Sequence, residues 1–281
     1  MNSLLFLSLR WVGYSLAVSI LSACTTAPTY ETLQTEMTQK RIPYWKKNAE
    51  VIQAKHQQVS RPDVLAQMNR LDLALSSSAA PAELQKQLMA KTPQEMEMNM
   101  EWLRWRILSQ NADGRLAYYY AQYLSHARNE RGSLMADAAV FMMVGRLALE
   151  IDGARCMDRS SPSHVKNQFE SNPAIQQINA YLAKLSKPQR SDLFLHAIAI
   201  EEIRGERTSQ SWLCSVGLQS LIQAMNTPAN IKTVLSTGNA LATTTLQVDT
   251  SKITPQYKDE AAWKIERRQI LDRELRSVLS K

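Results

Sequence analysis

Hydrophobic residues along most of this chain recur every three or four positions, which is the spacing of one face of an α-helix. The segment after Pro62 shows the pattern clearly, with apolar residues at Val64, Leu65, Met68, Leu71 and Leu75. The positions between are mostly Ala, Gln, Glu, Lys and Arg, which favour helices. Strand-like alternation is rare, so the pattern predicts an almost entirely helical body.

Start and stop signals divide this pattern into successive helices. Thr92-Pro93-Gln94-Glu95 has an N-cap hydroxyl, a proline at the first helical position and a glutamate at the third. The segment from Ser133 to about Ile151 is apolar nearly all round and is predicted to be the central buried helix. The other predicted helices cover about 31–56 (disturbed near Pro43), 62–75, 84–88, 93–107, 116–124, 162–170, 173–186, 188–205, 208–226 and 257–279.

Two features near the C-terminus add detail to this pattern. Residues 238–255 are rich in threonine and contain a short alternation, so we expect an extended loop or a short strand there. The final helix is expected to bury one face, consisting of Ala261, Ile265, Leu271, Leu275 and Val278, and to carry the i,i+4 pairs Glu260–Lys264 and Asp272–Arg276.

The order of these elements predicts the fold class. Helices of 15–22 residues joined by short turns are typical of antiparallel hairpins. No repeat near 34 residues holds through two copies. We therefore predict an all-α fold, either an irregular antiparallel helical bundle or a helical-hairpin array.

The first 23 residues differ from the rest in composition. They contain one charge, Arg10, and an apolar stretch that ends in small residues, which is typical of a cleaved secretory signal. An uncleaved anchor helix is the alternative. It would place Arg10 near the middle of a membrane span at a cost of roughly 2.5–3.5 kcal/mol, so cleavage is favoured.

The sequence Leu21-Ser22-Ala23-Cys24 resembles the lipobox of bacterial lipoproteins, which lipoprotein signal peptidase cuts just before the cysteine. The resemblance covers this segment only. It implies that residues 1–23 are a signal peptide and that the Cys24 thiol carries diacylglycerol, with a further acyl chain such as palmitate on the freed amine in Gram-negative bacteria. Two or three acyl chains hold a protein stably on a bilayer.

The resemblance also implies a location. Residue 25 is threonine, whereas an aspartate there tends to retain lipoproteins in the inner membrane, so an outer-membrane anchor facing the periplasm is implied. In an organism without an outer membrane, the protein would instead lie outside the cytoplasmic membrane. Residues 24–30 are then a short lipidated tether. We expect residues 31–281 to form a single helical domain.

The cysteine count agrees with an oxidising compartment. Once Cys24 is lipidated, Cys156 and Cys214 remain, and two leftover cysteines in the periplasm usually pair. The loop-entropy estimate for closing so long a loop is about 4 kcal/mol. Two buried free thiols are the alternative.

Charge excludes one class of partner. The net charge is +7, or +6 without Arg10, but Lys and Arg are dispersed among acids, and no nucleic-acid motif is present. We therefore expect no nucleic-acid partner. A weak preference for an acidic partner, a phospholipid headgroup or peptidoglycan stays open.

No catalytic or metal-binding motif is found. The four histidines fall in no ligand pattern, and G-x-S-x-G is missing. Glu201-Glu202 is interpreted as an exposed turn paired with Arg204 or a lysine, the alternative being a general acid of a cell-wall enzyme. Met96, Met98 and Met100 are interpreted as core filler, the alternative being a Cu(I) site.

Aromatic residues gather on two adjacent predicted helices. They are Trp102, Trp105, Tyr118, Tyr119, Tyr120 and Tyr123. Packing in the core is the first interpretation. The second is a partner-binding face formed by Trp102, Trp105, Tyr118, Tyr119 and Tyr123, because aromatic residues anchor interfaces.

These expectations combine into a functional hypothesis. We expect a non-enzymatic, outer-membrane-anchored helical module that binds a protein and needs no cofactor beyond the lipid on Cys24. Its partner would be a periplasm-targeted toxin such as a phospholipase effector, which would make the chain an immunity protein, or a component of a secretion or envelope machine. The toxin hypothesis is an analogy with membrane-directed toxins that periplasmic lipoproteins counter. An enzyme or binder acting on cell wall or lipid is the alternative.

Overall fold

The computed structural model describes residues 29–76, 80–109, 112–130, 132–205, 207–208, 210–215, 217–226, 231–236, 243–248 and 254–280. The predicted signal peptide and Cys24 lie outside these residues. Most of the described chain is helical, which confirms the predicted all-α class. The helices are α1 Tyr30–Glu36, α2 Ile42–Gln57, α3 Pro62–Ser76, α4 Ala80–Leu88, α5 Pro93–Ile107, α6 Arg115–His126, α7 Met135–Gly153, α8 Ser160–Glu170, α9 Pro173–Lys184, α10 Lys187–Arg204, α11 Ser211–Cys214, α12 Leu218–Met225 and α13 Glu260–Ser280.

Two helix boundaries follow directly from local chemistry. A π-helical turn, Met37–Arg41, joins α1 to α2, and the Ile42 N–H bonds to the Met37 carbonyl five residues back. This widened turn lies just before Pro43, whose ring would clash with the carbonyl of a regular helix. At α5 the Thr92 hydroxyl accepts a hydrogen bond from the Glu95 N–H at 3.1 Å, which confirms the predicted start.

Helix α7 is the centre of the molecule, as its apolar composition predicts. Nearly all its residues from Ala138 to Gly153 are buried, and it packs against α6, α8, α9, α10 and α13. The closest approach is at Gly145, where a Cβ would lie 2.5 Å from the Tyr118 ring. This glycine lets α6 and α7 pack with an aromatic ring between them.

Apolar side chains form two clusters that share α7 and α10. The larger cluster collects side chains from all helices from α2 through α11. The smaller cluster joins α1 and α13 to the other side of α7 and α10, and Trp263 is fully buried in it. The arrangement is the predicted irregular bundle.

The buried face of α13 differs from the prediction. Ala261 and Ile265 are exposed, and the core face instead begins at Trp263, whose indole N–H donates to the Ile151 carbonyl at 2.8 Å. The pattern was misleading because a charged residue, Arg267, lies in the middle of this face. Of the two predicted ion pairs, Asp272–Arg276 forms at 3.0 Å, whereas Glu260 pairs with Arg155 at 3.2 Å.

The predicted helix over 208–226 is also wrong in its extent. It is divided into α11 and α12, and Gly217 lies between them, where the Asp158 carboxylate packs so closely that a Cβ would collide with it.

The structure also forms an antiparallel hairpin from β3 Ile231–Ser236 and β4 Thr243–Val248, with Ile231 opposite Val248. Strand β4 lies in the segment predicted to be extended, whereas β3 was not predicted. A two-residue pair, β1 Arg128–Asn129 and β2 Gly132–Ser133, joins α6 to α7.

Cys156 and Cys214 form a disulfide with a Cα–Cα distance of 5.2 Å, as predicted. The bond links the chain after α7 to the end of α11. Within the described ranges, no helix combines the length and apolar composition needed to cross a membrane.

Candidate functional site

The predicted aromatic face is mostly interior. Trp102 and Tyr118 are fully buried and Tyr119 is 8% exposed. The Trp102 indole donates to Asp72 at 2.7 Å, and the Tyr118 hydroxyl donates to Glu170 at 3.1 Å. Burial raises the pKa of Tyr118. The partner-face interpretation is therefore wrong for Trp102, Tyr118 and Tyr119, because α5 and α6 pack these rings between neighbouring helices.

The other two predicted face residues are half-buried. Trp105 stacks on His56 with ring centroids 3.5 Å apart. The Tyr123 hydroxyl donates to the Leu88 carbonyl and accepts from the Asn99 side chain at 3.1 Å. These contacts also hold the two rings against the bundle.

Glu201 does not lie on an exposed turn. It is fully buried, with Oε2 2.8 Å from Nη1 of Arg204 and Oε1 2.7 Å from Nη1 of Arg207. Pairing with Arg204 was predicted, and the exposure was wrong because α13 covers this part of α10. Glu202 is partly exposed and pairs with Arg268 at 2.7 Å.

Sequence reasoning missed the remainder of this buried ion-pair cluster, which we define as Asp152, Glu201, Arg204 and Arg207. Asp152 faces Arg207 with its oxygens 2.8–3.3 Å from two guanidinium nitrogens. Burial raises the pKa of Asp152, and burial alone would lower that of Arg207, but the adjacent Asp152 and Glu201 raise the Arg207 pKa above its usual value. Two carboxylates thus offset the charges of Arg204 and Arg207, and a third buried arginine, Arg267, lies 4.0 Å from Glu201 and 3.9 Å from Glu202. Buried charges that are paired in this way are a structural arrangement.

The histidines and methionines form no metal centre among the residues that the structure describes, where no group of three His, Cys, Asp or Glu side chains could hold an ion. His196 accepts a hydrogen bond from the Trp45 indole at 3.1 Å. Met100 packs against the larger cluster as predicted, but Met96 is 39% exposed and does not fill the core.

The structure shows a cleft of about 360 Å³ where α7, α10 and α13 meet, with α8 at one side. Its buried floor is apolar, and its exposed rim carries charge. The floor consists of Met143, Leu147, Phe194 and Val278, and the rim of Arg146, Glu150, Lys166, Lys187, Arg190, Ser191 and Glu274. We call this site the cationic cleft.

The two acids of the cationic cleft share one cation, which offsets one of their two negative charges. Arg273 pairs with both Glu150 and Glu274, the second at 3.1 Å. Arg146 is likewise held by Glu170, its Nε 2.6 Å from Oε1. Three exposed cations remain. Lys166, Lys187 and Arg190 have no carboxylate partner within 4 Å in the described part of the chain, so the rim attracts anions.

A second surface feature lies on α12. Leu218, Ile222 and Met225 are 62%, 50% and 42% exposed. Their spacing of i, i+4 and i+7 places them on one side of the helix, and we call them the apolar stripe. The helix packs against α8 and β4, and the Leu218 N–H donates to the Ser160 hydroxyl at 2.7 Å. Large exposed apolar patches mark interaction surfaces, so the apolar stripe is a candidate.

Neither a known protein family, nor a curated protein, nor a solved structure matches this chain. Its function must therefore be inferred from its own residues and geometry.

Proposed function

We propose that this chain is an outer-membrane lipoprotein, anchored through lipid on Cys24, whose helical body binds a protein in the periplasm without catalysing a reaction. The partner is a periplasm-targeted toxin, such as a phospholipase effector, or a component of a secretion or envelope machine. Binding either partner requires a protein-binding surface on a rigid body close to the membrane.

The apolar stripe is the observation that carries the proposal. An amphipathic helix that presents apolar residues at i, i+4 and i+7 docks against an apolar partner surface. The stripe lies beside the β3–β4 hairpin, which in the described residues pairs with no other strand. A sheet edge with unpaired backbone groups can accept a strand from a partner. The disulfide at Cys214, four residues before Leu218, keeps this region attached to the segment that follows α7.

The geometry of Glu201 weakens the alternative of a cell-wall or lipid enzyme. That alternative used Glu201 or Glu202 as a general acid, which must reach the leaving group of a substrate. Both oxygens of Glu201 already bind buried arginines, and the side chain has no exposed surface. Glu202 is held by Arg268 at the surface.

A site-specific cross-link tests the proposed binding surface. A photoreactive amino acid replaces Leu218 or Ile222 in the full chain, the native envelope is irradiated, and attached proteins are identified by mass spectrometry. The matched control carries the same photoreactive residue at Leu73, a leucine of α3 that is 73% exposed. A secreted hydrolase attached at the stripe but not at Leu73 supports the immunity role. Secretion or outer-membrane assembly subunits support the accessory role.

Two results would reject the protein-binding proposal. One is attachment to peptidoglycan, or to no protein, at either stripe position. The other is identical products at the stripe and at Leu73. The anchor is tested separately by feeding cells labelled palmitate. The wild-type chain should take up the label, a Cys24→Ala chain should not, and unchanged labelling would reject the lipid anchor.

A further inference from the structure

We infer that the cationic cleft binds one anionic amphiphile, namely the phosphate headgroup and part of an acyl chain of a membrane phospholipid. This goes beyond the proposed protein binding, which uses α12. The cleft, built from α7, α10 and α13, does not include the apolar stripe.

The lining of the cleft requires a ligand with two chemical ends. The floor consists of the apolar side chains Met143, Leu147, Phe194 and Val278, of which Phe194 is partly exposed, so an acyl chain laid on this floor would be removed from water. At the rim, Lys187 and Arg190 are exposed and lack a carboxylate partner in the described residues. A free phosphate would pair with the rim cations but would make no contact with the apolar floor. A neutral lipid would contact the floor but would leave the rim cations unpaired.

The size of the cleft favours a small ligand over a protein. Its volume of about 360 Å³ lies at the lower end of the range for small-molecule pockets, roughly 300–1,000 Å³. A stable protein interface instead covers about 800 Å² on each partner, which extends well beyond such a cleft.

The position of the cleft near the start of the described chain points to the membrane as the source of this ligand. Tyr30 packs on α13, where its hydroxyl bonds to Asp272 and the Arg276 guanidinium lies 3.8 Å from its ring centroid. Glu274 lies two residues along α13 from Asp272 and lines the cleft from the other side of this helix, so the cleft and Tyr30 are about one helix diameter, roughly 10 Å, apart. This step rests on the proposed lipidation. Tyr30 lies six positions after Cys24, and six extended residues span at most about 20 Å.

Photolabelling with lipids of matched tails tests the inference. The full-length lipoprotein is placed in phosphatidylcholine nanodiscs that contain a trace of lysophosphatidylglycerol or lysophosphatidylcholine, each with the same diazirine in its tail. After irradiation, labelled peptides are mapped by mass spectrometry. The glycerol probe should label the peptides of Met143, Leu147 and Phe194 several-fold more than the choline probe.

Three variants identify the determinants. Lys187→Glu combined with Arg190→Glu reverses the rim charge, and Ser191→Trp fills the cleft without changing charge. The control, Lys46→Glu combined with Lys47→Glu, makes the same charge change at exposed positions of α2 outside the cleft. The inference expects the first two variants to lose the labelling and the control to keep it, with circular dichroism verifying that each is folded.

Several outcomes would overturn the inference. Equal labelling by both headgroups, or labelling spread over the surface, would show that the cleft does not select an anionic lipid. Displacement of the probe by inorganic phosphate alone would show a simple anion site. Displacement by a peptide of alternating Glu and Leu at lower concentration than unlabelled phosphatidylglycerol would show that an acidic protein segment is the ligand. The intact mass of the purified chain reports lipidation of Cys24 separately, so a failure of the anchor is distinguishable from a failure of the cleft.

Discussion

The buried ion-pair cluster and the rim of the cationic cleft use the same kind of cation in opposite ways. In the cluster, Arg204 and Arg207 have almost no exposed surface, and each is matched by a carboxylate. At the rim, Lys187 and Arg190 are exposed without such a match in the described chain. Water cannot reach Arg204 and Arg207, so their charges must be neutralised by buried carboxylates. Water can solvate Lys187 and Arg190, so these two cations need no carboxylate and stay available for a ligand.

The difference shows which charges indicate function. Glu201 stood out in the sequence as an acid on an apolar helix, and its role in the structure is to neutralise arginines. Lys187 and Arg190 look unremarkable at a helix start that also contains Pro188. The structure brings them to the edge of an apolar floor. This is the arrangement that we infer to bind a ligand.

The largest effect is expected from removing one charge of the buried cluster. Glu201→Gln would leave Arg204 and Arg207 with one carboxylate between them, and breaking a buried pair costs about 3–5 kcal/mol. The free energy of unfolding in guanidinium chloride measures the loss. The control, Glu202→Gln, affects a pair with Arg268, which is 69% exposed, and a longer contact of 3.9 Å with Arg267, whose guanidinium also donates to the Glu201 carbonyl. The loss should therefore be clearly smaller, at about 1 kcal/mol. Equal losses in the two variants would contradict the comparison.

The disulfide should have the next largest effect, because it joins the two chain segments that supply the cluster. Cys156 follows Asp152 in the chain, Cys214 follows Arg207, and the Arg155 guanidinium donates to the Arg207 carbonyl. Replacing both cysteines by alanine should lower the free energy of unfolding by about 2–4 kcal/mol. Adding a reductant should destabilise the wild-type chain and leave the double variant unchanged. If both respond alike, the bond does not contribute to stability.

His196 is a partly buried group that, unlike an arginine, can avoid an unpaired charge by losing its proton. Burial, with help from Arg41, lowers its pKa below the ordinary value of 6.5, and its Nδ1 accepts from Trp45. Below about pH 6.5 the unfolded chain therefore binds a proton that the folded chain excludes, and stability falls by up to about 1.4 kcal/mol per pH unit until the folded pKa is reached. Unfolding at pH 7.5 and 5.5 should show a smaller loss for His196→Gln than for the wild type. An identical loss would show that His196 does not titrate on unfolding.

The smallest effect on stability is expected at the rim of the cleft. Lys187→Glu with Arg190→Glu should change the free energy of unfolding by no more than about 0.5 kcal/mol, because both side chains are exposed and the hydrogen bond from Arg190 to the Leu185 carbonyl lies at the surface. Thermal and chemical unfolding of this variant, compared with the Lys46→Glu and Lys47→Glu control, provide the test. A loss of unfolding free energy comparable to that of Glu201→Gln would mean that the rim cations stabilise the fold. The contrast between the buried ion-pair cluster and the rim of the cationic cleft would then be wrong.

Helix periodicity and capping residues were sufficient to predict much of the fold. The start of α5 depends on Thr92 and Pro93, which act within one turn and can be recognised in sequence. The buried face of α13 could not be predicted in this way, because it includes a charged residue, Arg267. The burial of Arg267 depends on α10, where its guanidinium donates to the Glu201 carbonyl at 3.0 Å. The candidate site was missed for a similar reason. Its lining residues come from four helices and carry no local motif.

The sequence by itself determined the helical class, the central position of α7, the pairing of Cys156 with Cys214 and the expectation of a lipid anchor at Cys24. Each of these depends on residue type, count or spacing along the chain. Only the tertiary structure decided that Glu201 is neutralised inside, that Tyr118 belongs to the core and that Lys187 and Arg190 border an apolar floor. Burial and electrostatic environment depend on which distant segments pack together, and spacing along a chain does not contain that information.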